Sequence, residues 1–395
     1  MAAPTRRLLL GGLTFSVGAV LARTSQAGGA DGHAAGYDAA AAPDPLRLIP
    51  RRSGEAVIFT ASLDKAPLKQ TSGGWAREMT ARTLPIQTGI AGAHLFLNPG
   101  GAREMHWHNS AEWAYVLGGQ CQVTAVDPAG ETEVVNLGPG DLWYFPRGHA
   151  HAIHALGDAP CHAVLAFDDG LYSEHGTFGI SDWMSRLDPL VLAQAVGVPP
   201  GALDGMPTGE TYIMQGDVIP LDSRQARAER PLPPGRTHRH RLLAQPPWAS
   251  PPGGTMHLAG QAAFPASTAM TGLVTRLDPG AMQSLHWHPG ANEWHYVAKG
   301  QVRMSLFAPD KRMAAADLTA GDCAYIPANC GHLVHNTGTA PCEVVSVLDS
   351  PDYAAASLSD WLHGAPRHLL ANNLGLPEAA VPAFGRSLPV LPVRA

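Results

Sequence analysis

The sequence is poor in charged residues and has no excess of positive charge. Of its 395 residues, 15% are charged, the formal net charge is −6 and the isoelectric point is near 6.3. A protein that binds nucleic acid usually presents a basic surface to the phosphates. The charge balance therefore gives no support for nucleic-acid binding.

A long uninterrupted apolar run is also missing. The only candidate, residues 8–21, is broken by glycines and shorter than the roughly 20 residues that a membrane-spanning helix needs. It follows Arg6 and Arg7 and precedes small residues at 25–27, which offer a cleavage site. We expect a twin-arginine export signal over residues 1–30, with an ordinary secretory signal as the alternative. The protein is then periplasmic or extracellular, without a membrane partner.

Cysteine is scarce and its spacing is uninformative. The five cysteines are odd in number and form no Cys-x-x-Cys pair. Export would permit disulfides, but spacing cannot decide any pairing. We expect mostly buried thiols, and neither a nucleophile nor a metal ligand, at Cys121, Cys161, Cys323, Cys330 and Cys342.

Glycine, proline and short apolar runs are abundant. The chain has 43 glycines and 35 prolines. Beyond a flexible leader over residues 31–55, short apolar runs alternate with turn signals. This pattern predicts an all-β fold of antiparallel sandwiches or barrels. Short flanking helices are predicted over residues 187–196 and 368–374, each ended by glycine and proline.

One histidine-rich stretch occurs twice. Two histidines separated by one residue on a strand point to the same face, and a glutamate follows each pair. The pairs lie 180 residues apart (106 to 286), and a later histidine repeats at an offset of 181 (151 to 332). The spacing predicts two metal sites, whose ligands are His106, His108, Glu112 and His151, and His286, His288, Glu293 and His332.

The repeat also predicts the domain organisation. We expect a first domain over residues 56–235, which includes a connector, and a second over residues 236–395. His238 and His240 lie at this junction. No carboxylate or third histidine follows them at a suitable distance, so we interpret them as surface or packing residues.

The repeated residues carry a family resemblance. Gly-x5-His-x-His-x3,4-Glu-x6-Gly followed by Gly-x5-Pro-x-Gly-x2-His is the double motif of cupins, and it occurs at residues 100–119 with 140–151 and again at 280–300 with 321–332. Asn329 replaces one motif glycine, and Ala155 stands where the second copy has Asn336. From about residue 73 to about residue 377 the chain resembles the bicupin oxalate decarboxylases.

The resemblance implies a fold, a cofactor and a reaction. It implies two cupin jelly-roll barrels in one chain, assembled into trimers or hexamers. Nitrogen and oxygen ligands alone would suit Mn, Fe, Zn, Cu or Ni. The resemblance implies two manganese ions per chain, with dioxygen as co-catalyst. The implied activity is that of a carbon–carbon lyase (a carboxy-lyase), which splits oxalate into formate and carbon dioxide.

The two copies differ beside their ligands. Arg103 precedes the first histidine pair by three residues, and Gln283 takes its place in the second copy. An arginine there can hold a small dicarboxylate. The stretch between Asp168 and Ser181 is three residues longer than its counterpart between Asp349 and Ser359. It contains the segment 169–177, and the resemblance assigns Glu174 there as the acid of a catalytic lid. Some relatives carry a glutamate at the position of Ser346. We expect catalysis at the first site, by Glu174 and Arg103.

Three alternatives stay open. An oxalate oxidase shares fold, metal and substrate but releases hydrogen peroxide. His175 and Gly176 depart from the common decarboxylase lid, which has asparagine and serine there. This departure bears on the choice between decarboxylase and oxidase. A metal-free binding or storage bicupin would retain the ligand-like residues without turnover. A cupin dioxygenase or isomerase would need a bulkier apolar pocket, against which Arg103 and the short polar lid argue.

Overall fold

Short antiparallel strands dominate the first half of the chain. This computed structural model describes residues 57–172, 176–309, 312–386 and 388–391. In the first half the strands are β1 (Thr60–Ser62), β2 (Leu68–Thr71), β3 (Gly74–Met79), β4 (Ala91–Leu97), β5 (Gly101–His108), β6 (Glu112–Gly118), β7 (Gln120–Val126), β8 (Thr132–Leu137), β9 (Leu142–Phe145), β10 (Ala150–Leu156), β11 (Cys161–Phe167), β12 (Thr177–Gly179) and β13 (Ile213–Gln215). The predicted leader and export signal lie outside the described residues.

The second half repeats this organisation after three helices. The helices are α1 (Ile180–Ser185), α2 (Pro189–Val196) and α3 (Arg224–Arg227). The remaining elements are β14 (Arg239–His240), β15 (Gly254–Ala259), β16 (Thr271–Leu277), β17 (Met282–Gln283), β18 (His286–Trp287), β19 (Glu293–Lys299), β20 (Gln301–Ala308), β21 (Arg312–Thr319), β22 (Asp322–Ile326), β23 (Gly331–Asn336), β24 (Cys342–Leu348), β25 (Ala356–Ser357), α4 (Leu358–Gly364), α5 (Arg367–Leu374) and β26 (Val390–Leu391).

Two antiparallel sheets make up each half. In the first half the strand orders are β14-β9-β6-β11-β4-β3-β2 and β12-β5-β10-β7-β8, with β13 pairing to β5. In the second half they are β1-β22-β19-β24-β16-β15 and β21-β20-β23-β17-β26, with β18 pairing to β23 and β25 pairing to β18. Antiparallel sheets pack through one apolar face each. The predicted all-β fold of two barrels with short helices is confirmed.

One edge strand of each barrel comes from the part of the sequence that otherwise forms the other barrel. Strand β1 pairs with β22 in the second barrel, from Thr60 opposite Ala324 to Ser62 opposite Asp322. Strand β14, which follows the connector, pairs with β9 in the first barrel. These two exchanges tie the barrels together through backbone hydrogen bonds. The predicted domain boundary at residue 235 stays a prediction.

Two tryptophan–glycine contacts join the barrels through their cores. Trp113 on β6 and Trp294 on β19 are fully buried. A Cβ atom added to Gly272 would overlap the indole of Trp113, and one added to Gly92 would overlap the indole of Trp294. Each glycine therefore provides the space that the other barrel's tryptophan fills.

The flanking helices begin and end as the sequence indicates. Helix α2 has Asp188 as N-cap, whose carboxylate accepts from the amides of Leu190 and Val191. It ends at Gly197, which adopts the left-handed conformation that favours glycine. Helices α2 and α5 confirm the predictions for residues 187–196 and 368–374, whereas α1 and α4 were not predicted. All five cysteines are buried, as expected.

In the part of the chain that the structure describes, no helix combines the length and apolar character needed to cross a membrane.

Candidate metal centres and the adjoining cavity

Strand register brings the first predicted ligand set together. His106 and His108 lie on β5, Glu112 begins β6, and His151 on β10 pairs directly with His106. The imidazole rings of His106 and His151 are 4.2 Å apart between centroids. All four residues are buried, and their ligand atoms lie within 4.8 Å of one another. Four side chains separated by up to 45 positions in the sequence therefore form one cluster.

The second predicted ligand set forms the same cluster in the second barrel. His286 on β18 pairs with His332 on β23, and Glu293 begins β19. With His288 these residues are buried, and their ligand atoms again lie within 4.8 Å of one another.

Backbone carbonyls orient the histidines of both clusters. In the first cluster the Nδ1 atoms lie 2.7 Å from Glu104 O, 2.7 Å from Ser110 O and 2.9 Å from His149 O. In the second they lie 2.7 Å from Ser284 O, 2.6 Å from Ala354 O and 3.1 Å from Cys330 O. A carbonyl can only accept, so each Nδ1 carries the proton and each Nε2 presents its lone pair. A metal-binding histidine usually has this arrangement.

Unsatisfied nitrogen atoms show that the clusters fit a metal ion. Nε2 of His151 and Nε2 of His332 are buried and make no hydrogen bond within the described residues. They point at the glutamates, at 3.5 Å from Oε2 of Glu112 and 3.0 Å from Oε2 of Glu293. A buried polar atom without a partner costs about 1–3 kcal/mol. A cation between these nitrogen and oxygen atoms would remove that cost.

The ionisation states of Glu112, His106 and His286 also suit metal binding. Burial alone would raise the pKa of Glu112, but its hydrogen bonds with His108 and His151 outweigh burial and hold that pKa well below its usual range. Burial, followed by the charge of Arg103, lowers the pKa of His106 well below 6.5. Burial and His332 lower the pKa of His286 to about 3. Ionised carboxylate and neutral imidazole are the forms that bind metals.

Different residues contact the two glutamates of the clusters. The indole Nε1 of Trp143 donates to Oε1 of Glu112 at 2.7 Å. In the second barrel, Nε2 of His295 lies 3.3 Å from Oε2 of Glu293. Sequence analysis missed both residues. A comparison of the two copies at the repeat offset of 181 could have found them, because each faces an alanine in the other copy. Ala324 corresponds to Trp143, and Ala114 corresponds to His295.

A cavity of about 270 Å³ opens beside the first metal cluster. The structure places Arg103 on its wall, buried, with Nη1 donating to the carbonyl of Tyr212 at 2.9 Å. The Arg103 guanidinium also lies over the Tyr212 ring, 4.3 Å from its centroid. The arginine is therefore held in place while it lines the same space as the metal ligands.

Glu104 anchors the segments on either side of this cavity. Its carboxylate is buried, accepts from the amide of Tyr212 at 2.9 Å and accepts from the hydroxyl of Ser181. Oε1 of Glu104 also lies 3.8 Å from Nη1 of Arg103. One buried carboxylate thus connects β5 to the connector and to helix α1. No sequence signal indicated this role.

The predicted lid acid lies outside the described residues. Glu174 and His175 fall within the gap at 173–175. Tyr172 and Gly176, on the two sides of that gap, both line the cavity of the first site. The residues that flank the gap therefore lie at this cavity.

The surroundings of the second cluster are less charged. Gln283 takes the place of Arg103, and its Nε2 lies 3.5 Å from Oγ1 of Thr275. A cavity of about 450 Å³ adjoins this cluster, with Gln283, His286, Tyr353 and Asp360 on its wall. Among the described residues, no arginine or lysine lines it. The described wall of this cavity therefore offers an anionic substrate no positively charged side chain.

The connector histidines pack, as predicted. His238 is buried, with Nδ1 2.7 Å from Oε2 of Glu133 and Nε2 2.9 Å from Nδ1 of His149. Glu133 also accepts from the amides of Leu232 and His238. Sequence analysis found no carboxylate near His238 because Glu133 lies 105 residues earlier in the chain.

Two antiparallel barrels, each with three histidines and one glutamate at its centre, define a bicupin metalloprotein. The cupin family profile matches residues 61–200 and 240–381. The chain is 38% identical over 338 residues to the oxalate decarboxylase OxdC of Bacillus subtilis strain 168, covering 84% of this chain and 86% of that protein. The chain belongs to the bicupin oxalate decarboxylase family.

Further relatives support the same assignment. A probable oxalate decarboxylase of Arthroderma benhamiae is 35% identical over 309 residues, covering 77% of this chain and 76% of the relative. The solved structure of the Bacillus subtilis oxalate decarboxylase at pH 4.6 superposes with a TM-score of 0.79 at 34% identity, covering 89% of this chain and 92% of that chain.

Proposed function

We propose that this protein is a manganese-dependent oxalate decarboxylase that converts oxalate to formate and carbon dioxide at its first metal site. The observation that carries the proposal is the buried Arg103 beside the first ligand cluster, with the uncharged Gln283 at the same place in the second. The relatives that are named oxalate decarboxylases support the reaction class.

The first cavity suits a small dicarboxylate. Its volume of about 270 Å³ is below the usual range for drug-sized ligands. A guanidinium can hold a carboxylate by two parallel hydrogen bonds and stabilise negative charge that develops on it. Arg103 would therefore bind and orient one carboxylate of oxalate, with the other carboxylate toward His106, His108, Glu112 and His151.

Manganese is the metal that the ligand set and the relatives favour together. Three imidazoles and a carboxylate accept several divalent metals. The Bacillus subtilis oxalate decarboxylase contains Mn(II) centres. When bound, manganese with dioxygen would supply the one-electron oxidation that weakens the carbon–carbon bond of the substrate.

Glu174 would move the proton. It would take the acidic proton of the oxalate monoanion and, after carbon dioxide has left, return that proton to the carbon atom that becomes formate. An acid that both takes and gives a proton works best with a pKa near the operating pH. A lid closed over the substrate would raise the pKa of Glu174 in that direction by desolvation.

Product analysis tests the proposal directly. Protein from manganese-supplemented cells should convert oxalate to formate, with little hydrogen peroxide. Glu174→Ala should abolish formate production while metal content stays at two ions per chain, because Glu174 is not a ligand. Ser173→Ala in the same lid is the matched control and should retain formate as the main product.

Three outcomes would contradict the proposal. Peroxide as the main product would identify an oxalate oxidase. Protein that stays metal-free and inactive under manganese supplementation would indicate a binding or storage bicupin. Full activity in Glu174→Ala would exclude the assigned proton donor.

A further inference from the structure

His295 is a buried histidine that belongs to neither set of metal ligands. It is the third residue of β19 and is fully buried. Its Nδ1 lies 2.8 Å from Oγ of Ser346 on β24, and its Nε2 lies 3.3 Å from Oε2 of Glu293. The ligand atoms that lie within 4.8 Å of one another come from His286, His288, Glu293 and His332, without His295. His295 therefore contacts a ligand rather than completing the ligand set.

The proton positions on His295 follow from its neighbours. A carboxylate that binds a metal is ionised and can only accept, so the nitrogen facing Glu293 must carry a proton. In a neutral imidazole Nδ1 is then the acceptor, and the Ser346 hydroxyl donates to it. Nε2 has no well-aligned hydrogen bond within the described residues.

In the first barrel a different side chain, at a neighbouring position, contacts the glutamate of the cluster. There Ala114 pairs with Trp143, whose indole holds Glu112. In the second barrel the same two positions hold His295 and Ala324, which pair in the same register. The hydrogen-bond donor has thus moved from one strand to its neighbour, and alanine occupies the vacated position in each barrel.

A third position changes together with these two. Leu165 pairs with Ala114 in the first barrel, and Ser346 pairs with His295 in the second. The serine supplies the hydroxyl that a histidine needs here and an alanine does not. The two barrels thus differ at three neighbouring positions, and all three differences serve one contact to the glutamate. This pattern indicates that His295 has a role at the carboxylate and is not merely a buried histidine.

We propose that His295 is a positioning residue of the second metal site, which donates from Nε2 to Glu293 and so holds this carboxylate toward the metal. Ser346 keeps His295 in the required tautomer. The inference requires that the second site binds a divalent metal, as proposed above. It does not depend on which product forms from oxalate.

Metal affinity at the second site alone tests the proposal. In a full-length background with His106→Ala and His151→Ala, only the second site retains its ligands. Apo protein would be titrated with Mn(II) and the free ion measured by electron paramagnetic resonance. Removal of a group that orients a metal ligand typically costs about 10- to 100-fold in affinity. We expect a loss of that size for His295→Ala and a smaller loss for Ser346→Ala.

Two rescue variants separate hydrogen bonding from packing. His295→Gln retains a donor near the position of Nε2 and should recover most of the affinity. The double variant His295→Ala with Ala324→Trp copies the first barrel's arrangement and should recover part of it. His363→Ala is the control. It changes an exposed histidine on α4 and should leave the Mn(II) affinity of the second site unchanged.

Three results would overturn the proposal. Mn(II) affinity in folded His295→Ala within about twofold of the background would show that Glu293 needs no such donor. Rescue variants that bind as weakly as His295→Ala would show that the histidine acts through packing alone. Loss of one directly bound nitrogen in the pulsed resonance spectrum of His295→Gln would identify His295 as a ligand instead.

Discussion

Arg103 and Gln283 occupy equivalent positions beside the two ligand clusters but differ in charge. Both residues lie three positions before the first histidine of their site, and both are buried. Only Arg103 has a permanent charge, and its contact with the Tyr212 carbonyl limits its freedom to move. A fixed guanidinium can stabilise an anionic transition state without the cost of reorganising solvent.

Replacement of Arg103 by glutamine, the residue at this position in the second site, tests whether the charge of Arg103 is needed for the reaction. Arg103→Gln should lower kcat/KM for oxalate by about 100- to 1,000-fold, the range found for loss of one charge-stabilising donor. Both metal ions should remain, because Arg103 is not a ligand. Gln283→Arg is the matched change in the other barrel and should leave kcat/KM for oxalate close to that of the parent, because the proposed reaction takes place at the first site. Steady-state kinetics with metal analysis would measure both effects; an unchanged kcat/KM in Arg103→Gln would exclude a role in substrate binding.

At the scale of elements, each barrel meets the other through two strands, one that carries a glycine and one that carries a tryptophan. Gly92 on β4 and Gly272 on β16 lie against the buried indoles of Trp294 and Trp113. The strands bring these partners together across 159 and 202 positions of sequence. Close packing of this kind leaves no room for an additional methyl group.

A single methyl group should therefore disturb the junction between the barrels. Gly272→Ala should lower the free energy of unfolding by about 1–3 kcal/mol, because the added Cβ would overlap the Trp113 ring. Gly235→Ala is the control, since a Cβ at Gly235 meets no atom within 4 Å. Urea denaturation of both variants would measure the difference, and equal stability of the two would contradict this packing.

On the scale of the whole molecule, buried histidines couple stability to pH. His94 on β4 lies between the barrels, near the rings of Trp75 and Tyr296, with Nε2 3.3 Å from Nδ1 of His162. Burial, then His162 and Arg77, lowers the pKa of His94 to about 4. The unfolded chain has the ordinary pKa of 6.5, so it binds a proton at a pH where the folded protein does not.

Acid should therefore weaken the fold through His94. As pH falls from 6.5 to about 4, protonation favours the unfolded state, and this one residue would remove about 3 kcal/mol of stability. His94→Gln lacks the titration and should lose correspondingly less between pH 7 and pH 4. Urea denaturation of metal-free protein at both values would measure this; His363→Ala, at an exposed histidine, should behave as the parent does. Equal losses in the parent and His94→Gln would contradict the burial of a neutral His94.

The amino-acid sequence alone determined the fold class and predicted the two clusters of candidate metal ligands. The ligands can be predicted because His106 and His108 are neighbours on one strand, where alternation sends both to the same face. The repeat then supplies the second set at a constant offset. The short strands and helices α2 and α5 follow from local turn and capping signals, such as Asp188 and Gly197.

Only the tertiary structure decided which side chains support those ligands. Trp143, Glu104 and Glu133 reach partners that lie 31 to 108 positions away along the chain. His295 reaches Ser346 on the neighbouring strand. Strand β1 likewise pairs with β22 of the second barrel. Local patterns describe one strand at a time, whereas the pairing of strands depends on the free energy of the complete, packed chain.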